Sequence, residues 1–189
     1  MFMIIGFVLL GVVVIVALWA VVVYNGLIRL RNQVDEGWSD IDVQLKRRHD
    51  LIPNLLESVK GYMTHEKSLL ENITKARSTA MSAQASGDTA GLAKAEGVLG
   101  GLLGNLRVAF EAYPDLKANQ TMMQLMDQLA DTEDKIQAAR RFYNGVVRDF
   151  NTKMQVFPAN MIASMLGFKA REFFEIEDPK ERENVQVKF

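Results

Sequence analysis

At 189 residues the chain has room for one domain and an appendage, and a net charge of −1 gives it no global pull toward nucleic acid or anionic lipid. It contains no cysteine, which excludes a disulfide framework, thiolate metal sites and a thiol nucleophile, and fits a reducing compartment. The apolar excess is concentrated at the N-terminal end.

That end reads "MFMIIGFVLLGVVVIVALWAVVVYNGLIRLR", with no charged side chain before Arg29. A bilayer core needs about 20 apolar residues in helical form, and Met1 to Val23 supplies them. A lone segment in lipid satisfies its backbone hydrogen bonds only as a helix, so the many valines do not count against one. Trp19 and Tyr24 fall where an interfacial aromatic belt belongs. The run lacks a basic leader and is long for a cleaved signal, so a retained anchor over residues 1–25 is expected. Arg29, Arg31, Lys46, Arg47 and Arg48 all follow it. The positive-inside bias then predicts N-out, C-in topology, with the bulk of the chain on the cytoplasmic side.

From Leu27 the apolar positions recur by threes and fours through Leu30, Val34, Trp38, Ile41, Leu45, Ile52, Leu55 and Val59, the spacing of a helical seam. The anchor is therefore expected to run directly into the first helix of a bundle, over about 26–62. Pro53 interrupts the seam. It lacks an N–H and presses on the carbonyl of His49, which predicts a hinge, with Arg47, Arg48 or Asn54 as candidates to satisfy the freed group. Gly61 and Thr64 read as the stop of one helix and the cap of the next, unless Gly61 is tolerated and the two form one rod. Helices over 64–85 and 91–112 flank the loop "ASGDTAG". The second of them carries Gly97/Gly101 and Gly100/Gly104, four apart, which predicts close backbone packing inside the bundle. After "YPDL" a long helix over 116–153 completes an antiparallel four-helix bundle spanning 26–155. A short helix and an extended tail occupy 156–189.

No chemistry-bearing motif stands out. His49 and His65 are sixteen apart with no partner at i+4, the paired carboxylates sit on polar faces, and "GVLGGLLG" lacks the context of a phosphate loop. No catalytic, cofactor-binding or metal-binding residue is expected. A few polar residues share faces with core positions: Arg48 and Asn54 on the first helix, Glu133, Arg140, Tyr143 and Asn144 on the last. Charges drawn into a bundle must be paired, so these six are expected to form a structural network around the Pro53 hinge; a ligand pocket is the alternative. Trp38 and Ile41 on the stalk, and Phe168, Phe173 and Phe174 in the tail, are expected to be contacts of a homo-oligomer, with "VQVKF" available to add as a strand; the alternative is that the tail folds back on its own bundle.

Four stretches carry a family resemblance: "RNQVDEGWSDIDVQLKRRHDLIPNLLESVKGYMTHE", "AYPDLKAN", "EDKIQAARRFYNGVVRDFN" and "FPANMIA". Together they resemble the LemA family over almost the whole chain. The resemblance implies an N-terminal membrane helix followed by a cytoplasmic helical bundle of no established activity. It also implies kinship with proteins tied to magnetosome membrane formation, and a gene of the kind that often lies near a membrane metalloprotease gene. The expectation is an all-α, non-enzymatic scaffold in a bacterial inner membrane. It would self-associate and organise that membrane, with lipid and a membrane protein as partners and no nucleic acid. The alternative is an adaptor for a membrane protease or signalling partner.

Overall fold

A computed structural model describes residues 1–175. Among them are six helices: α1 (Phe2–Val59), α2 (Lys67–Ser86), α3 (Thr89–Phe110), α4 (Pro114–Ala118), α5 (Gln120–Gln155) and α6 (Ala159–Met165). The all-α expectation holds. The chain divides into two compact units, Met1–Ser39 with Arg141–Phe173, and Asp40–Arg140 with Phe174 and Glu175.

In the first unit, residues 2–18 of α1 are exposed over every face, and the helix is long and apolar enough to cross a membrane. Burial begins with Val23, Leu27 and Val34, and the same unit buries Tyr143, Val147 and Phe150 of α5 and Ala159 and Ala163 of α6. Gly37 lets α1 approach α5, because a Cβ there would stand 3.2 Å from the Phe142 ring and 3.3 Å from the Cα of Tyr143. Gly167 ends α6 at φ +69°, a conformation that favours glycine, and turns the chain back along α5. There Asn151 donates to the Arg171 carbonyl and accepts from its N–H, each at 2.9 Å, and the Tyr143 hydroxyl donates to the Glu172 carbonyl at 2.9 Å. Arg171 also pairs with Asp35 at 2.7 Å.

This return segment changes the reading of the tail. Phe168 lies half-buried between Tyr24 and Phe150, ring centroids 6.4 and 6.3 Å away. Phe174 is fully buried. Phe173 stays exposed, at 42%. On the stalk, Trp38 is half-buried with its ring centroid 5.5 Å from that of Tyr143, and Ile41 has no exposure at all. Of the five expected surface contacts, Ile41 and Phe174 are thus covered within the chain, Phe168 and Trp38 are largely so, and Phe173 alone stands open. "VQVKF" lies outside the described residues.

The second unit assembles the C-terminal half of α1, then α2, α3, α4 and the N-terminal half of α5 around one core. Ile52, Leu55, Val59, Ile73, Leu99, Leu103, Leu106, Phe110 and Met122 form its centre. The α1–α2 break is real. The N–H groups of Tyr62 and Met63 both donate to the Val59 carbonyl at 2.9 Å, and buried Met63 seals the turn. Thr64 does not cap α2; Glu66 occupies the N-cap position and makes no side-chain cap bond. Its carboxylate is engaged elsewhere, accepting from the Tyr113 hydroxyl at 2.6 Å. The α2–α3 loop is minimal. Gly87 takes φ +71°, and the Asp88 carboxylate caps α3 by accepting from the Gly91 N–H at 2.9 Å. "YPDL" opens the short α4, with Pro114 in the first turn, where its missing N–H costs nothing. The long last helix starts at Gln120 rather than 116, because Asn119 accepts from the Thr121 N–H at 3.0 Å and caps it there.

Candidate functional site

Among the described residues the second unit buries four polar or charged side chains, Arg48, His49, Glu96 and Thr132. The first three meet. Arg48 and Glu96 are each 1% exposed and His49 is 2% exposed. One Arg48 amino group pairs with the Glu96 carboxylate. The other donates to Glu133 Oε2 at 2.5 Å. Glu96 uses its second oxygen on His49 Nε2, 2.7 Å away. Arg48 and His49 fall on adjacent positions of α1, Glu96 lies on the inward face of α3 between Leu92 and Leu99, and Glu133 belongs to α5. Three helices are therefore tied through one guanidinium.

The electrostatics follow from burial. Desolvation pulls the Arg48 guanidinium below its ordinary range, Glu133 opposes that shift, and Arg140 adds to it. His49 is pushed down to about 4, first by burial and then by the positive charges of Arg48 and Arg77. At neutral pH it is uncharged and donates its Nε2–H to Glu96. The buried carboxylate is thus compensated by one charge and one neutral donor.

Pro53 belongs to the same construction, although not in the expected way. Helix α1 runs through it without interruption to Val59. The carbonyl that Pro53 cannot serve is that of His49, four residues back. Arg77 of α2 takes it, Nε donating to the His49 carbonyl at 2.7 Å. Neither Arg47, Arg48 nor Asn54 does so. Asn54 is exposed and outside the ion cluster, its carbonyl accepting from Ser58 at 2.8 Å. Arg47 pairs loosely with Asp131 at 3.9 Å on the surface.

The six residues grouped from the sequence do not all belong to one unit. Arg48 and Glu133 are paired, with Arg140 close by. Tyr143 and Asn144 lie in the other unit, where Tyr143 packs on Trp38 and anchors Glu172. Burial raises the Tyr143 phenol above its usual range. Glu96, His49 and Arg77 were not anticipated. A signal existed for Glu96: it is the single charge on the α3 seam Leu92–Leu99–Leu103 and sits four residues before Gly100.

Beside the cluster is an open groove of about 470 Å³ between α3 and α5, lined by Gly97, Gly101 and Gly104 on one wall and by Glu133, Gln137 and Arg140 on the other. A Cβ added at Gly101 or Gly104 would meet nothing within 4 Å. Gly101 and Gly104 thus border open space and do not hold another backbone close. Among the described residues no group of three or more His, Asp or Glu side chains is placed to hold a metal ion.

Comparison with known proteins agrees with the sequence resemblance. The chain is 29% identical to Protein LemA of Metamycoplasma hominis, in an alignment covering 82% of this chain and 69% of that protein. It is 25% identical to magnetosome protein MamQ 2 of Paramagnetospirillum magneticum and 24% identical to magnetosome protein MamQ of Magnetospirillum gryphiswaldense. Each of these alignments covers 80% of this chain and 64% of the relative, so the chain spans less than two thirds of the magnetosome proteins. The model of the LemA family matches residues 37–189, from the second half of the stalk to the end, and the chain belongs to that family.

Proposed function

We propose that this protein is a membrane-anchored, non-enzymatic scaffold that self-associates and organises the bacterial inner membrane in which it sits, N-terminus outside and bundle in the cytoplasm. The carrying observation is the division of labour along α1. Its residues 2–18 are exposed and apolar on all sides, and the same helix then becomes a core element. The buried charges support a structural role, because Arg48, Glu96 and His49 pair with one another and are closed to solvent, although the Arg48 Nε itself has no hydrogen-bond partner among the described residues. The relationship to magnetosome proteins is consistent with work on membranes. Exposed Phe142 and Phe173 supply apolar surface for contacts between copies, and confinement to a plane strengthens even weak contacts.

The test is oligomeric state. Full-length protein in mild detergent should run above monomer mass by light scattering, and cysteine cross-linking from position 173 in native membranes should yield dimers. Monomer in both settings would end the self-association reading. A second reading, an adaptor for a membrane protease or signalling partner, is favoured by the groove between α3 and α5, whose glycine wall leaves room for a segment of another chain. Stoichiometric co-purification of one membrane protein, with no self-association, would select it.

A further inference from the structure

Helix α6 turns its small residues inward and its large ones outward. Ala159 and Ala163, one turn apart, are buried, whereas Met161 and Met165, also one turn apart, are 63% and 74% exposed. Phe157, just before α6, is 79% exposed, and Val156 and Leu166 extend the patch. Left in water this would be a contiguous apolar surface with nothing to cover it. Its position identifies the cover. The chain leaves α6 at Gly167, and the next residue, Phe168, packs against Tyr24, where the apolar run of α1 ends. The patch is therefore held by the part of the first unit that meets the end of the candidate span.

Cations rim it. Arg31 and Lys169 line a cavity of about 580 Å³ with Tyr24 and Phe168, and the Arg31 guanidinium stands 6.0 Å over the Phe168 ring. Lys153 occupies the last turn of α5. The acidic groups close in sequence are partly taken up, Asp149 by Arg148 at 3.4 Å and Asp35 by Arg171 at 2.7 Å. An outward apolar face with a cationic border is the pattern of a segment lying in a membrane interface.

We propose that the α5–α6 corner, from Val156 to Leu166, rests in the surface of the bilayer that α1 crosses, with Arg31 and Lys169 meeting lipid phosphates. The proposal rests on the membrane-anchored reading of α1 and is independent of self-association. Because the chain has no cysteine, single labels are clean probes. Full-length variants Met165→Cys, Val13→Cys and Ser39→Cys would carry a fluorophore in vesicles of phosphatidylcholine, with or without phosphatidylglycerol, containing spin-labelled quencher lipid. Ser39 is exposed, belongs to the same unit, and lies about 22 Å along α1 from Tyr24. The label at 165 should be quenched at least about twofold more than the label at 39. Phosphatidylglycerol should raise that quenching, Arg31→Gln with Lys169→Gln should abolish the increment, and free inorganic phosphate should not compete. Equal quenching at 165 and 39, with Val13 quenched, overturns the corner contact alone. Protection of position 165 from aqueous iodide without lipid quenching points to a protein partner and likewise overturns it. An unquenched Val13 label removes the anchor and the proposal together.

Discussion

Replacing Glu96 isolates what the buried cluster contributes. In Glu96→Ala, Arg48 stays at 1% exposure and keeps only Glu133, whose side chain is 37% exposed and shares its charge with water. Removing one partner of a buried ion pair costs about 3–5 kcal/mol, because the remaining charge is stranded. Arg48→Met should cost a similar amount by stranding Glu96. With both replaced, in Arg48→Met/Glu96→Leu, no charge is stranded. Apolar replacement of a buried pair is often neutral, so the residual cost is that of the lost His49 hydrogen bond, about 1–2 kcal/mol. The single costs therefore sum to about 6–10 kcal/mol and the double variant should lose far less. Urea titration of the full-length protein in detergent micelles at pH 7, followed by circular dichroism, gives all four corners of the cycle. Glu96→Gln, which keeps an acceptor for His49 and Arg48, serves as a milder single change should Glu96→Ala fail to fold. Costs that simply add in the double variant would refute the stranded-charge argument.

Further expectations concern neighbouring groups. The His49 pKa is lowered in the fold, so the neutral ring contributes stability that is fully present above pH 6.5 and is lost as the pH falls toward about 4. The loss should reach at most about 3 kcal/mol, seen as a steeper fall from pH 7 to 4.5 in the parent than in His49→Gln; parallel curves would count against it. Arg77→Met should cost about 1–3 kcal/mol by orphaning the His49 carbonyl. It should cost less in a Pro53→Ala background, where the helix supplies its own N–H to that carbonyl, and an undiminished cost would place the effect elsewhere. Gly37→Val should destabilise by about 1–3 kcal/mol through its clash with Phe142 and Tyr143. By contrast Gly101→Ala, facing open space, should gain about 0.5–1 kcal/mol from helix propensity. Chemical denaturation measures both, and equal signs would show that the two glycines do not differ as described.

The apolar seam from Leu27 to Val59 was legible because threes and fours are imposed by the helix itself, and its burial in the structure follows that spacing. The same logic found Arg48 and Glu133, since a charge that shares a face with leucines needs a partner. It did not find Glu96 or Arg77, because periodicity assigns a residue to a face of its own helix and says nothing of which helix lies opposite. The glycines of α3 show the limit from the other side. Their four-residue spacing permits close packing, but whether a neighbour arrives depends on the side chains of α5, and Gln137 and Arg140 line a groove there instead. Whether Phe168 and Phe174 are exposed or folded back stays open in the sequence, because a tail after a short helix has no period. The pairing of Asn151 with Arg171 that lays it back along α5 is a contact across twenty residues, with no local trace.

Helix α1 presents a neighbour with side chains almost everywhere, its backbone acceptors being consumed internally, and such a surface tolerates sliding by a turn. Pro53 breaks that uniformity at one point by leaving the His49 carbonyl unclaimed, and Arg77 occupies it. A slip of α2 by one turn, about 5.4 Å, would carry the guanidinium past its acceptor and leave both groups unmatched. A residue usually counted as a helix breaker here acts as an address label, telling α2 where along α1 to stop.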